Sequence, residues 1–282
     1  MRTPITYYGG KQRMAQTIIG LIPPHKIYVE PFFGGGAVFF KKPKCKIEVI
    51  NDLNNNLITF YAATRDNFAL LKSMVDSTLH SESIYQYAKD IYNRRIVASD
   101  IEIAWATWLC TNGSFGASIH GGWKWCNGSS GGHSAIMLRN KRIDFSEEVH
   151  QRLADVQISC RDALRVIIDR DSEDTFFYLD PPYPGSNQQH YRGYRMNQLY
   201  DLLHLLSAIK GKFILSNYWS QTLKYFSIKN KWIIRVFPMH MNVASLGKRG
   251  GVKTPRVKNE ILVANYPEPN TLFNSEAHNY VL

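Results

Sequence analysis

No stretch of this sequence approaches the run of about 18 apolar residues that a membrane-spanning helix needs. The first residues, Met1-Arg2-Thr3-Pro4-Ile5-Thr6-Tyr7-Tyr8, lack the apolar centre of a secretory signal. A cytoplasmic protein without a membrane partner is the expectation. Cysteine is scarce: the 282 residues include four, Cys45, Cys110, Cys126 and Cys160, and none sits in a C-x-x-C pair. That gives no support to a zinc ribbon or a redox dithiol, and it suits unpaired thiols in a reducing compartment. Cys126 with His120 and His133 has too few ligands at the wrong spacing for structural zinc, so no metal is expected. Acid is also in deficit. Asp plus Glu number 23 against 34 Lys plus Arg, a net charge of +11. An excess of that size suits a polyanionic partner, although a solubilising surface charge gives the same count.

What is present is a series of short apolar runs, several ending in an acid or a turn residue. They are Ile27–Glu30, Ile47–Asp52, Val156–Cys160, Phe176–Asp180, Phe213–Asn217, Ile233–Phe237 and Glu260–Ala264. Near-continuous apolar strands of this kind fit a sheet buried on both faces. Helix-like stretches lie between several of them, such as 196–210 with Leu199, Leu202, Leu203 and Leu206 on one face. The alternation predicts an α/β fold with a largely parallel sheet. Ligands then bind at the carboxyl ends of the strands. From about Ala62 to Arg152 the pattern changes. Helical stretches at 68–74, 83–92 and 101–109 give way to a segment that holds seven of the nineteen glycines between Gly113 and Gly132. That segment reads as loop and hairpin. The chain thus divides into an α/β domain of residues 1–61 and 156–282 and an inserted, mostly helical domain of residues 62–155.

Three motifs carry chemistry. Asp180-Pro181-Pro182-Tyr183 follows the apolar run Phe176–Leu179 directly. An exocyclic amine such as that of adenine is a poor nucleophile, because its lone pair is delocalised into the ring. A carboxylate accepting a hydrogen bond from the amine localises that lone pair, and a backbone carbonyl can accept the second N–H. Two prolines stiffen the turn that holds the carbonyl, and the tyrosine ring offers a surface for an extruded base. A plain strand followed by a Pro-Pro turn, with Asp180 as a cap, is the competing explanation. The second motif, Val29-Glu30-Pro31-Phe32-Phe33-Gly34-Gly35-Gly36, runs a strand into an acid and a glycine turn. Glycine lets the backbone approach a ligand closely, and Glu30 can pair with the ammonium of an amino-acid ligand. The third, Asn51-Asp52-Leu53-Asn54, ends the next strand where α/β nucleotide sites hold a ribose diol, unless these residues only cap the following helix.

Together with Tyr7-Tyr8-Gly9-Gly10-Lys11 and Leu57-Ile58, these motifs occur in an order that resembles the Dam-type DNA adenine-N6 methyltransferases, the D12 class or α group of amino-methyltransferases. The resemblance covers roughly residues 5–61 and 156–266. It implies a Rossmann-like class I methyltransferase sheet, S-adenosylmethionine (AdoMet) as cofactor and double-stranded DNA as partner. In the inserted domain it implies target recognition, and the activity it implies is that of an adenine-specific site-specific DNA methyltransferase of restriction–modification type. By position, Tyr7, Gly9, Gly10 and Lys11 match the motif that contacts AdoMet, and Phe32, Gly34 and Gly36 match its glycine turn. Glu30 matches the acid near the methionine ammonium, Asp52 the acid on the ribose hydroxyls, and Asp162 the acid at the cofactor's adenine ring. Asp180, Pro181, Pro182 and Tyr183 match the catalytic motif. Ser216-Asn217 resembles the strand beside the active site, and the stretch from Leu246 to Glu260 resembles the family's basic C-terminal loop.

The insert fits less well. Cys110-Thr111-Asn112-Gly113-Ser114-Phe115-Gly116 matches the family's Asn-rich stretch only loosely, and the Arg that often precedes it is missing. No target sequence is carried over. Candidate DNA contacts are Asn112, the basic-aromatic group Trp123 and Lys124 with Trp125 and His120, and the dense basic run Lys248, Arg249, Lys253 and Arg256. A hairpin with its own small core and a solvated loop are the respective alternatives. Turns of the D/N/S-P-P-Y/F/W type also serve cytosine-N4, RNA-base and protein-glutamine methylation, and an inactive DNA-binding relative is a further alternative. Aspartate with tyrosine, and the Gly-Gly-Lys motif, favour adenine.

Overall fold

The computed structural model describes residues 1–7, 9–117, 119, 121–127, 133–183, 194–240, 257–267 and 278–279. Eight strands form one sheet in the order β3-β2-β1-β4-β5-β7-β6-β8. They are β1 (Ile27–Glu30), β2 (Ile47–Asn51), β3 (Gln157–Ser159), β4 (Thr175–Leu179), β5 (Lys212–Asn217), β6 (Ile233–His240), β7 (Val257–Ala264) and β8 (His278–Asn279). The five strands from β3 to β5 are parallel, and β7 pairs antiparallel with both β5 and β6. This is the Rossmann-like methyltransferase sheet expected from the sequence, with an antiparallel edge added to the parallel strands.

Residue alternation along the strands builds two cores. Tyr28, Ile50, Phe176, Tyr178 and Ile214 face one side and pack with α1 (Ala15–Leu21) and a helical layer. Val29, Val49, Phe177, Leu179 and Leu215 face the other side. There they meet α8 (Ala163–Arg170), α9 (Met196–Leu206) and α10 (Gln221–Lys229). Period-two alternation with both faces covered explains why the strands read as unbroken apolar runs.

Between β2 and β3 lie α2 (Asn55–Asp66), α3 (Phe68–Asp76), α4 (Glu82–Tyr92), α5 (Asp100–Gly113), α6 (Ser134–Asp144) and α7 (Glu147–Leu153). The expected boundary at residue 61 falls inside α2, which is one continuous helix. Helix α5 opens with a capping box of Ser99 and Glu102 and is buried without a break from Ile103 to Thr111. A helix apolar all round belongs inside a protein, and α5 packs among α2, α3, α4 and α6. The segment read as loop from Asn112 keeps α5 going to Gly113, then turns through a 3-10 helix at Phe115–Ala117. A hairpin-like bridge pairs Ser114 with Trp123. A buried ion cluster ties this layer to the sheet: Glu48 on β2 accepts from Lys42 and from Arg152 of α7, whose guanidinium lies 3.6 Å over the Phe39 ring.

Strand order fixes where a ligand site belongs. From β1 the chain moves outward through β2 to β3, then returns to start β4 on the opposite side of β1. The carboxyl ends of β1 and β4 therefore flank the point where the winding reverses, which leaves a crevice in an open α/β sheet. Among the described residues, no helix is long and apolar enough to cross a membrane.

Candidate active site

Glu30 ends β1 at that crevice and leads into the glycine turn. Gly34 has φ +50° and Gly36 φ +63°, both in the left-handed region that only glycine enters freely. A Cβ on Gly36 would sit 2.5 Å from the Phe33 ring. The turn is pinned to the neighbouring strand end. Phe33 N donates to Asn51 O (2.9 Å), Asn51 Nδ2 to Pro31 O (3.0 Å), and Gly34 N to Asp52 Oδ2 (2.9 Å). Glu30 is 2 % exposed and accepts a 2.8 Å bond from the Tyr28 hydroxyl. No salt bridge reaches it among the described residues. Burial pushes its carboxyl up to about 8, with Tyr28 opposing and the charge of Asp180 adding to the rise.

Asp180 follows β4, across the crevice from Glu30. Lys11 Nζ donates to both of its oxygens, at 2.8 and 2.9 Å, and to Gly9 O at 3.3 Å. The single Tyr183 hydroxyl proton is shared between Asp180 Oδ1 (3.1 Å) and Glu260 of β7. Ser216 Oγ of β5 donates to the same Glu260 Oε1 at 2.5 Å, and Lys11 Nζ lies 3.5 Å from that oxygen. Against Tyr183 stand the edge of Tyr218, with ring centroids 4.3 Å apart, and the Lys11 ammonium 5.0 Å from the ring centre. Burial favours the neutral form of Lys11, but Asp180 and Glu260 overcome it and raise its pKa. Burial also raises the Asp180 carboxyl, and Lys11 pulls it back. The two-pronged contact favours the ionised form of both partners against the effect of burial.

The Gly-Gly-Lys segment, the glycine turn and the Asp180–Tyr183 turn all line one narrow cavity. Phe32 and Pro182 form its border with a second cavity of about 430 Å³. Asp52, Asp162, Tyr194 and Gln198 line that larger space. Asp162 caps α8, with Oδ1 accepting from Leu164 N and Arg165 N at 3.0 and 3.3 Å. Both oxygens of Asp52 take backbone N–H groups, from Asn54 and Gly34, and burial raises its carboxyl. The Tyr194 hydroxyl is buried there without a partner among the described residues. The chain thus offers a buried acid for a cation at one end, a close-approach glycine turn in the middle, and a roomy pocket with acids and a free hydroxyl at the other. That donor set fits an amino acid joined to a nucleoside.

Among the described DNA candidates, several are engaged within the chain. The Asn112 side chain is spent on the N-terminal segment: Oδ1 accepts from Thr6 N (3.0 Å) and Thr6 Oγ1 (3.1 Å), and Nδ2 donates to Pro4 O (3.2 Å). Trp123 packs against the core with its ring 5.0 Å from His80, and Lys124 O is bound to His80 Nε2 at 2.9 Å. Trp125 is exposed. Tyr8, His120, Lys248, Arg249, Lys253 and Arg256 lie outside the described residues. Sequence reasoning passed over three neighbours of the named site residues. Tyr28 carries no signal beyond its place in the apolar run Ile27–Glu30, and Tyr194 stands in none of the motifs. Glu260 closes the stretch that resembles the family's basic loop and heads the apolar run Glu260–Ala264, and neither place marks it as a site residue.

Comparison with known proteins gives a consistent result. Residues 7–235 match the family model of D12 class N6 adenine-specific DNA methyltransferases. The type II methyltransferase M1.LlaDCHI of Lactococcus lactis subsp. cremoris is 26% identical over 276 residues, covering 92% of this chain and 93% of that protein. M.MjaIII of Methanocaldococcus jannaschii, also a type II methyltransferase, is 25% identical over 211 residues, 65% of this chain and 70% of the relative. For the type II methyltransferase M.FokI of Planomicrobium okeanokoites the identity is 22% over 289 residues, which span 94% of this chain but 43% of that protein.

Proposed function

Since the chain belongs to the D12 class of N6 adenine-specific DNA methyltransferases, we propose that it acts on an adenine rotated out of duplex DNA, with Asp180 and the Pro181 carbonyl holding the amine. One observation carries this reading: Asp180 and the glycine turn line a single cavity at the reversal of the sheet. AdoMet is the methyl donor of this reaction and supplies an electrophilic methyl on a positively charged sulfur. Glu30 receives the methionine ammonium and Asp52 the ribose hydroxyls. Asp162 meets the cofactor's adenine ring in the larger cavity. Tyr7, Gly9 and Gly10 wall the methionine end, and the turn of Phe32, Gly34 and Gly36 lets the backbone come close.

The target amine donates one N–H to Asp180 and one to Pro181 O. Its lone pair is thereby aimed along the line of attack, and the carboxylate supports the positive charge that grows on nitrogen. Pro181 and Pro182 hold the turn stiff, and Tyr183 presents its ring to the extruded base. The helical insert reads base edges, while Lys124 and the run Lys248–Arg256 meet phosphates. The type II relatives support a place in a restriction–modification pair.

The test is to incubate DNA with radiolabelled AdoMet, digest it and identify the labelled nucleoside. Label in N6-methyladenine is expected. Asp180→Ala should lose at least about a hundredfold in rate, the usual cost of removing a transition-state electrostatic partner. Label in cytosine, or AdoMet binding with no transfer to any DNA, overturns the proposal.

A further inference from the structure

We infer that Glu260 is a positioning residue that draws Lys11 away from Asp180 when the target base enters, so that the catalytic carboxylate is unmasked only in the substrate complex. The inference rests on the assignment of Asp180 made above. As the structure stands, Asp180 is a masked acceptor. An ammonium has three N–H donors, and Lys11 spends two of them on the two oxygens of Asp180 and the third on Gly9 O, so a bond to Glu260 must replace one of these. The Tyr183 hydroxyl stands 3.1 Å from Oδ1, its one proton shared with Glu260. A carboxylate engaged in this way is a weak acceptor for an amine. The same cation also lies where positive charge must develop on the attacking nitrogen, and like charges repel strongly in a site sheltered from water.

Glu260 is placed to resolve that conflict. Its side chain is 9 % exposed, and Oε1 already lies 3.5 Å from the Lys11 ammonium. Its recorded bonds, from Tyr183 and Ser216, fall on Oε1. Oε2 has no partner among the described residues, which leaves the carboxylate with capacity for another donor. The lysine stem is flexible, and a shift of about 0.6 Å brings Nζ from the present separation to an ordinary hydrogen bond. The net charge of Lys11 with the two carboxylates is the same before and after the move; what changes is that the cation stands farther from the amine and the Asp180 oxygens are released to accept from it. Ser216 and Tyr183 hold Glu260 in place meanwhile.

The test is a pair of double-mutant cycles read by single-turnover methyl transfer to DNA, with thermal melting and AdoMet binding as controls. Glu260→Gln keeps the shape and the acceptor oxygen but loses the charge. It should slow transfer by about tenfold or more, with AdoMet affinity within about twofold. On a Lys11→Met background, which has no cation to withdraw, Glu260→Gln should cost less than about threefold. On a Tyr183→Phe background its cost should persist in full. Equal cost with and without Lys11, or coupling to Tyr183 alone, overturns the inference. If Glu260→Gln does not fold, Glu260→Asp, which retracts the charge by one methylene, takes its place with the same expected coupling. N6-methyladenine formed by the wild-type enzyme separates the two claims. If that product is present and the cycles are additive, only the role of Glu260 fails.

Discussion

Glu30 holds its proton because water cannot reach it and its bonded neighbour is a hydroxyl. A carboxyl raised from 4.5 to about 8 is neutral across the physiological range in the ligand-free protein. The sign for stability follows. The folded state binds the proton more tightly than the unfolded chain does. The contribution is therefore fully present below pH 4.5 and is lost as pH rises through about 8. Urea unfolding of the ligand-free protein should show stability declining over that window, and Glu30→Gln should flatten the decline. The proposed role adds a linkage. If the methionine ammonium pairs with an ionised Glu30, binding near pH 6.5 releases about one proton and tightens as pH rises. Calorimetry in buffers of different ionisation heat measures that proton, and its absence would remove Glu30 from the ammonium site. Glu30 and Asp180 could be picked out beforehand, because each is an acid closing an apolar strand. Tyr28 and Glu260 could not. Their importance comes from pairing between distant segments: β7 runs antiparallel to β5 with Asn217 opposite Ile261, which brings Glu260 beside Ser216. No local pattern encodes that register.

Among the elements, the turn after β1 is the most constrained. At Gly36 a side chain meets a φ of +63° and a Phe33 ring packed between Phe39 and Tyr61. Gly36→Ala therefore faces backbone strain and overpacking together, roughly 2–4 kcal/mol in sum. The urea midpoint should drop accordingly. AdoMet affinity should fall as well, because a displaced Phe33 moves the turn that carries Gly34. Unchanged stability would mean that the ring has somewhere to go. This turn was legible from its glycines, and the strands were legible from their apolar runs. Strand direction was not, since an apolar run looks the same pointing either way, and so the antiparallel β7 was hidden within an expected parallel sheet. Helix α5 was legible as the helical stretch 101–109, and its burial all round emerges only from the packing of α2, α3, α4 and α6 around it. Helix α6 was read as neither helix nor strand. It buries only Ser134 and Leu138, too thin a stripe to stand out against its charged residues.

Across the whole molecule, the two binding events use charge in opposite ways. The cofactor end relies on buried groups: Glu30, Asp52, and the Lys11–Asp180 pair held at 2.8 Å. Salt screens buried pairs weakly, so AdoMet affinity should change little with ionic strength. DNA binding draws on the net charge of +11, and each phosphate neutralised releases counterions. The logarithm of the affinity then falls with the logarithm of salt at about 0.9 per contact. With about six contacts, affinity drops roughly a thousandfold between about 50 and 200 mM salt. Replacing Lys248, Arg249, Lys253 and Arg256 by alanine leaves the chain net positive, so DNA binding should survive in weaker form. The salt slope should shrink by about 0.9 for every one of the four that meets a phosphate. Fluorescence anisotropy of labelled duplex DNA over a salt series measures the slope, and calorimetric titration of AdoMet over the same series supplies the flat reference. An unaltered slope in the quadruple variant would move the phosphate-binding face elsewhere. A parallel loss of AdoMet affinity would mean that the basic run supports the cofactor crevice instead of the DNA.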